Sequence, residues 1–262
     1  MHVAVAVYAC TYITLIHLGL PYDENVLYFV FYATITGYNF VKYFGIAKFH
    51  HRSLAVWLKV IQVFSLISFV FMCYYGFQLP RIVLLYCAVF GLITFFYAIP
   101  FLPKRLFIDK HHNLRSVGGL KVYLIALVWT GVTVFLPVLT HELPIHADIL
   151  IMGLQRFMLV ILLMLPFEIR DLKYDNLKLS TIPQKIGVEQ TKRFGALFVF
   201  VVFFIEFLKN EITVNGVFVL LVMTLVLLVL VLCSKIEQHK YYSAFFVEGW
   251  PILWLILTLI FC

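Results

Sequence analysis

The feature that most constrains this chain is the recurrence of long apolar runs. Roughly nine stretches, each near the ~18 residues needed to cross a bilayer as a helix, fill most of the 262 residues. An unpaired backbone amide in hydrocarbon costs several kcal/mol, and a helix pairs its amides internally, so such runs read as transmembrane helices. The predicted spans are roughly 2–20, 26–46, 54–77, 82–101, 118–139, 149–167, 194–209, 214–233 and 244–262. Composition agrees: 63% of residues are hydrophobic and only 13% charged, far from what a water-covered surface requires. No Gly/Ser/Pro linker divides the chain, so residues 1–262 are expected to form one polytopic membrane domain.

All but three of the 20 Lys and Arg residues lie in, or at the span ends flanking, the loops after the second, fourth, sixth and eighth spans; the exceptions are Arg81, Arg156 and Lys209. Positive loops stay in the cytoplasm, which puts the amino terminus inside and the carboxyl terminus outside, here read as across a bacterial inner membrane. The basic face serves either as this topology signal beside anionic lipid or as a surface for an anionic substrate. The charges are dispersed over short loops with no soluble domain to carry them, so nucleic acid is excluded as a partner. Cys10, Cys73, Cys87, Cys233 and Cys262 lie scattered in apolar sequence and read as small hydrophobes. The neighbouring pairs His50-His51 and His111-His112 diverge on a helix, and Glu206 beside Lys209 reads as a snorkelling interfacial charge. The longer loops all lie on the basic side, which is where function is expected.

One segment breaks the apolar pattern. "FEIRDLKYDNLKLSTIP" (Phe167 to Pro183) closes the sixth span, and a helical continuation would put Glu168, Asp171 and Asp175 on one stripe at i, i+3 and i+7. Like charges so close to lipid repel one another and need a compensating cation. The spacing alone admits two readings: an acidic turn neutralised by neighbouring Lys and Arg, or a Mg²⁺ site, since that ion takes hard oxygen ligands together with substrate phosphates.

The stretch "EIRDLKYDNLKLSTIPQKIG" resembles the second aspartate-rich motif of the UbiA superfamily of intramembrane prenyltransferases, D-x-x-D-x-x-x-D followed by T-[LI]-P and a Gly. Glu168, Asp171 and Asp175 stand at the acidic positions, with Thr181, Pro183 and Gly187 in register behind them. "FFYAIPFLPKRL" resembles the family's Tyr-x-x-Pro with basic residues after helix four, and "GGLKVYLIALVWTGVTVFLP" its helix five. The resemblance implies an all-α integral membrane fold, nine transmembrane helices around a central cavity. It implies transfer of a prenyl group from an isoprenoid diphosphate to a lipophilic, in some members aromatic, acceptor. By the same resemblance Glu168, Asp171 and Asp175 would hold Mg²⁺, Lys173, Lys104 and Arg105 would contact the diphosphate, and Tyr97 and Asn39 would face the cavity.

The chain departs from the family at the first aspartate motif. Aligned on Asn39, "YNFVKYFGIAKFHH" places Phe40, Tyr43 and Ala47 where the carboxylates belong. Either one Mg²⁺ suffices, with Lys42, Lys48 or Arg52 supplying charge where a second ion would sit, or the chain has lost transfer chemistry and binds isoprenoids or other lipids, or serves as a scaffold.

Overall fold

A computed structural model describes residues 1–46, 54–98, 119–173, 181–239 and 241–262, and among them all regular structure is helical. The chain forms α1 (His2–His17), α2 (Glu24–Ile46), α3 (Leu54–Gly76) and α4 (Arg81–Ala98). It continues with α5 (Leu120–Thr130), a π-helical segment Gly131–Phe135, α6 (Leu136–Thr140) and α7 (Ala147–Asp171). Then come α8 (Ile182–Ile186), α9 (Val188–Ile205), α10 (Val214–Leu232), a second π segment Tyr242–Val247 and α11 (Glu248–Phe261).

Polar punctuation sets the helix starts. The Asp23 carboxylate accepts the Val26 N–H at 3.1 Å and opens α2, and the Thr213 hydroxyl accepts the Gly216 N–H at 3.2 Å and opens α10. Short connections such as Phe77–Pro80 force neighbouring helices antiparallel, so odd and even crossings share two ends of the bundle. Packing then runs around a closed ring: α1 on α2, α2 on α4, α4 on α5 and α6, α5 on α7, α7 on α9, α9 on α10, α10 on α11, and α11 back on α1. Helix α3 packs outside this ring on α2.

The largest core cluster joins Ile13 of α1 to Leu159, Leu162, Leu165, Val202, Met223, Leu227 and Trp250 from α7, α9, α10 and α11. The outer faces are apolar too: Leu66, Leu85, Leu197 and Ile260 are each more than 60% exposed. A water-soluble monomer rarely carries so much exposed hydrocarbon, whereas a lipid-facing surface requires it.

The two π segments lie at a close helix contact and beside a proline. At Gly131 a Cβ would stand 2.2 Å from the Phe90 ring, and the Gly131 carbonyl accepts the Tyr86 hydroxyl at 3.1 Å, so the widened turn lets α4 approach closely. The second π segment leads into α11, where Pro251 lacks the N–H that would bond one turn back.

Among the described residues five helical stretches are long and apolar enough to cross a membrane, at Lys59–Gly76, Leu120–Thr140, Ala147–Asp171, Val214–Leu232 and Tyr242–Phe261, and His2–His17 and Arg81–Tyr97 are shorter apolar helices. Two of the expected spans are marginal for physical reasons: α1 has 16 residues, which span about 24 Å against a core of about 30 Å, and the first turns of α9 carry Glu189, Lys192 and Arg193. The nine-crossing arrangement therefore belongs to the proposal below.

Candidate functional site

The last turns of α7 carry the polar residues singled out in the sequence. This helix continues through Asp171, beyond the predicted end near residue 167, and so puts Glu168 and Asp171 at i, i+3 on one helix. Glu168 is 1% exposed, and its Oε1 accepts a hydrogen bond from Lys121 Nζ at 2.9 Å. Lys121 is the second residue of α5, which starts after Gly119 in the left-handed conformation (φ 74°). The ammonium is thereby delivered to the end of the bundle where α7 finishes. Tyr97, from the end of α4, and Asp171 both lie close enough to act electrostatically on Lys121.

Asp171 is only partly buried. Its Oδ1 accepts from Arg170 at 2.8 Å, and the Arg170 guanidinium sits 5.2 Å from the centre of the Phe167 ring. Among the described residues, then, both acidic groups of this stripe face a cation of the protein itself. Asp175, Lys104 and Arg105 lie outside the described residues, as do His50, His51, His111 and His112.

The other predicted residues are placed unevenly. Tyr97 joins the cluster through Lys121. Lys173 and Lys42 are exposed, with Lys173 two residues past the end of α7 and Lys42 near the end of α2. Asn39, three residues before Lys42, has a buried Nδ2 with no hydrogen-bond partner among the described residues, so the helix–helix hydrogen bond natural for such a residue is absent there. Beside it Phe40, at the first position of the degenerate motif, stacks on Phe95 of α4 with ring centres 5.9 Å apart. The aromatic pair occupies a place where the resemblance implies a carboxylate.

The "TIPQKIG" run behind the acidic stripe folds as its chemistry dictates. Thr181 precedes α8, Gln184 Oε1 accepts the Thr181 N–H at 3.1 Å, and Pro183 sits in the first turn, where a missing N–H costs nothing. Gly187, at φ 81° and ψ 163°, then turns the chain directly into α9. These residues build a corner, and that is the role their positions support.

Sequence reasoning missed Lys121, whose partner is 47 residues away. It also took Glu206 for a snorkelling charge. In the structure Glu206 is largely buried, held by Lys209 Nζ at 2.6 Å and Gln155 Nε2 at 2.9 Å, because α7 and the end of α9 pack together there.

Whether these groups fit a bound Mg²⁺ can be judged from the donors. Glu168 has its carboxylate engaged by a fixed ammonium and is closed off from water, which suits an ion-pair partner better than a metal ligand. Asp171 is accessible and fits the ion as one hard oxygen donor, the sort of ligand Mg²⁺ combines with phosphate oxygens and water. No cluster of three or more metal-binding side chains occurs among the described residues.

The ring of apolar helices with charged groups gathered at its ends defines an integral membrane protein. No family model matches the sequence, and no curated protein matches it. Among solved structures the chain is similar to one described as giving structural and mechanistic insights into the biosynthesis of digeranylgeranylglyceryl phosphate synthase in membranes. The likeness has a TM-score of 0.60 at 13% identity and covers 99% of this chain and 92% of that one. At that identity it establishes a shared fold over essentially the whole chain.

Proposed function

We propose that the chain is a UbiA-type membrane prenyltransferase homologue that takes an isoprenoid diphosphate and transfers its prenyl group to a lipophilic acceptor. The observation that carries this reading is the likeness of fold, end to end, to a membrane protein described as a synthase of a digeranylgeranylglyceryl phosphate. Nine crossings, with the α7 carboxyl end facing the cytoplasm, complete the arrangement.

Each residue's role follows from its surroundings. Glu168 holds the Lys121 ammonium at a fixed place beside Asp171, where it attracts the diphosphate and offsets the negative charge that grows as the diphosphate leaves. Asp171, with Asp175, would hold a single Mg²⁺, which supplies neutralisation of the leaving diphosphate when bound. Lys104, Arg105 and Lys173 would add further positive charge, and Lys42 would do so from the α2 side. Tyr97, Phe40 and Phe95 offer ring faces that shelter a developing allylic cation from water. The buried, unpartnered Asn39 amide is a ready donor to a polar group of either substrate.

The Phe40–Phe95 stack favours a second reading: with an aromatic contact in place of the first carboxylate, the chain binds isoprenoid diphosphates or lipids without transfer. Incubating the purified protein with labelled prenyl diphosphates, Mg²⁺ and a panel of lipophilic acceptors separates the two. Labelled product supports transfer, binding without product supports the second reading, and neither binding nor product rejects both.

A further inference from the structure

The opposite end of the bundle holds a small pocket with charged groups in a mostly apolar lining, about 22 Å from Asp171 along α7 at 1.5 Å per residue. Its polar lining is His17 at the end of α1, Gln155 and Arg156 in the third turn of α7, and Glu206 and Lys209 after α9, set among apolar walls that include Leu159 and Trp254; its free space of ≈ 20 Å³ is about that of one water or one oxyanion oxygen.

The charges in it do not balance. Glu206 is already satisfied by Lys209 and Gln155, a net neutral arrangement. Arg156 is 2% exposed, yet no carboxylate among the described residues lies within ion-pairing distance of it. Its guanidinium lies 4.8 Å over the Trp254 ring, Nη2 donates to the Thr14 hydroxyl at 3.4 Å, and the buried Cys10 thiol lies within hydrogen-bonding reach of it. Nη1 is buried with no hydrogen-bond partner among the described residues. A guanidinium in a low-dielectric site is costly unless it is paired and its donors are met, and a cation–π contact with two weak neutral partners leaves the Nη1 donors unserved.

We propose that this pocket is an anion site, in which Arg156 receives one oxyanion group, a carboxylate or a phosphate, through its planar fork of N–H donors. The Trp254 ring covers one face of the guanidinium, so the anion enters in the guanidinium plane. Lys209, at the polar end of the bundle, steers it without surrendering Glu206. Because the pocket opens where helices end, the same chemistry can be met by a soluble anion or by the phosphate of a lipid headgroup whose chains stay in the bilayer. The site is separate from the Glu168–Lys121 end and does not depend on the prenyltransferase reading.

The test uses the full chain in maltoside micelles, which contain no anionic group. The signal is Trp254 fluorescence, taken as the difference between the protein and its Trp254→Phe variant. Titration with inorganic phosphate, with acetate and with a short-chain phosphatidylglycerol, all at fixed ionic strength, is expected to give saturable changes. These should weaken at least tenfold in Arg156→Lys, vanish in Arg156→Gln and persist unchanged in Asp171→Asn. Saturation by phosphate or acetate identifies a soluble anion as sufficient; saturation by the lipid alone, with lipid retained in native mass spectra, assigns the headgroup. Absence of a saturable response to all three probes in the unmodified protein overturns the proposal, as does an undiminished response in Arg156→Lys. Neither of these results requires that Arg156→Gln fold.

Discussion

Removing the Lys121 charge while keeping its stem, as in Lys121→Met, probes the end of the bundle most sharply. At 2.9 Å and an effective dielectric near 20, the attraction between Lys121 and Glu168 is roughly 6 kcal/mol before desolvation. Desolvation consumes much of that, but the variant leaves a carboxylate that is 1% exposed without its ammonium. Breaking one side of such a pair costs about 3–5 kcal/mol, whereas replacing both partners by neutral groups is often close to neutral. Lys121→Met is therefore expected to lose about 3–5 kcal/mol, and the double variant Lys121→Met, Glu168→Leu to lie within about 2 kcal/mol of the parent. Reversible unfolding in mixed dodecyl sulfate and maltoside micelles, followed by tryptophan fluorescence, reads both. The coupling between the two positions should be at least about 2 kcal/mol. Single variants within about 0.5 kcal/mol of the parent, or losses that simply add, would refute the pairing and return Glu168 to the candidate metal ligands.

Three further substitutions test how the helices are held. Gly187→Ala puts a side chain at φ 81°, ψ 163°, a region essentially reserved for glycine, and should cost about 1–3 kcal/mol in the same unfolding assay. Gly131→Ala forces the Phe90 ring aside and should cost about 1–3 kcal/mol; relief by a smaller residue at position 90 would confirm the contact. Trp250→Phe deletes the buried indole N–H bond to the Met223 carbonyl (2.9 Å) between α11 and α10, a carbonyl that keeps its partner within α10, and is expected to lower stability by about 0.5–1.5 kcal/mol.

The positions of the helices were largely legible from hydrophobicity, because a backbone surrounded by apolar side chains has little choice but to pair its own amides. The spans expected near 54–77 and 214–233 correspond to α3 (Leu54–Gly76) and α10 (Val214–Leu232). Less legible were features that arise only when helices meet. The π segment at Gly131 packs against Phe90 and Tyr86 of α4, and nothing in the local sequence "TGVTVF" marks it. Acidic residues at the end of α7 stood out because charge is rare beside an apolar run, but their cations did not: Arg170 is adjacent in sequence, while Lys121 is brought in by the packing of α5 on α7. Arg156 was visible as one of few basic residues away from the basic loops, yet a lone charge in a sequence does not disclose that it is buried without a carboxylate.

The central claim is that the carboxyl end of α7 grips a diphosphate with the help of a divalent ion at Asp171. Its most direct measurement is equilibrium binding of a non-reactive prenyl diphosphate analogue to the purified protein, with Mg²⁺ and with chelator, for the parent and for Asp171→Asn. The account predicts saturable, Mg²⁺-dependent binding by the parent and at least a tenfold loss in the variant, about 1.4 kcal/mol or more. Equal binding by both proteins, or binding by the parent that is indifferent to Mg²⁺, would contradict it.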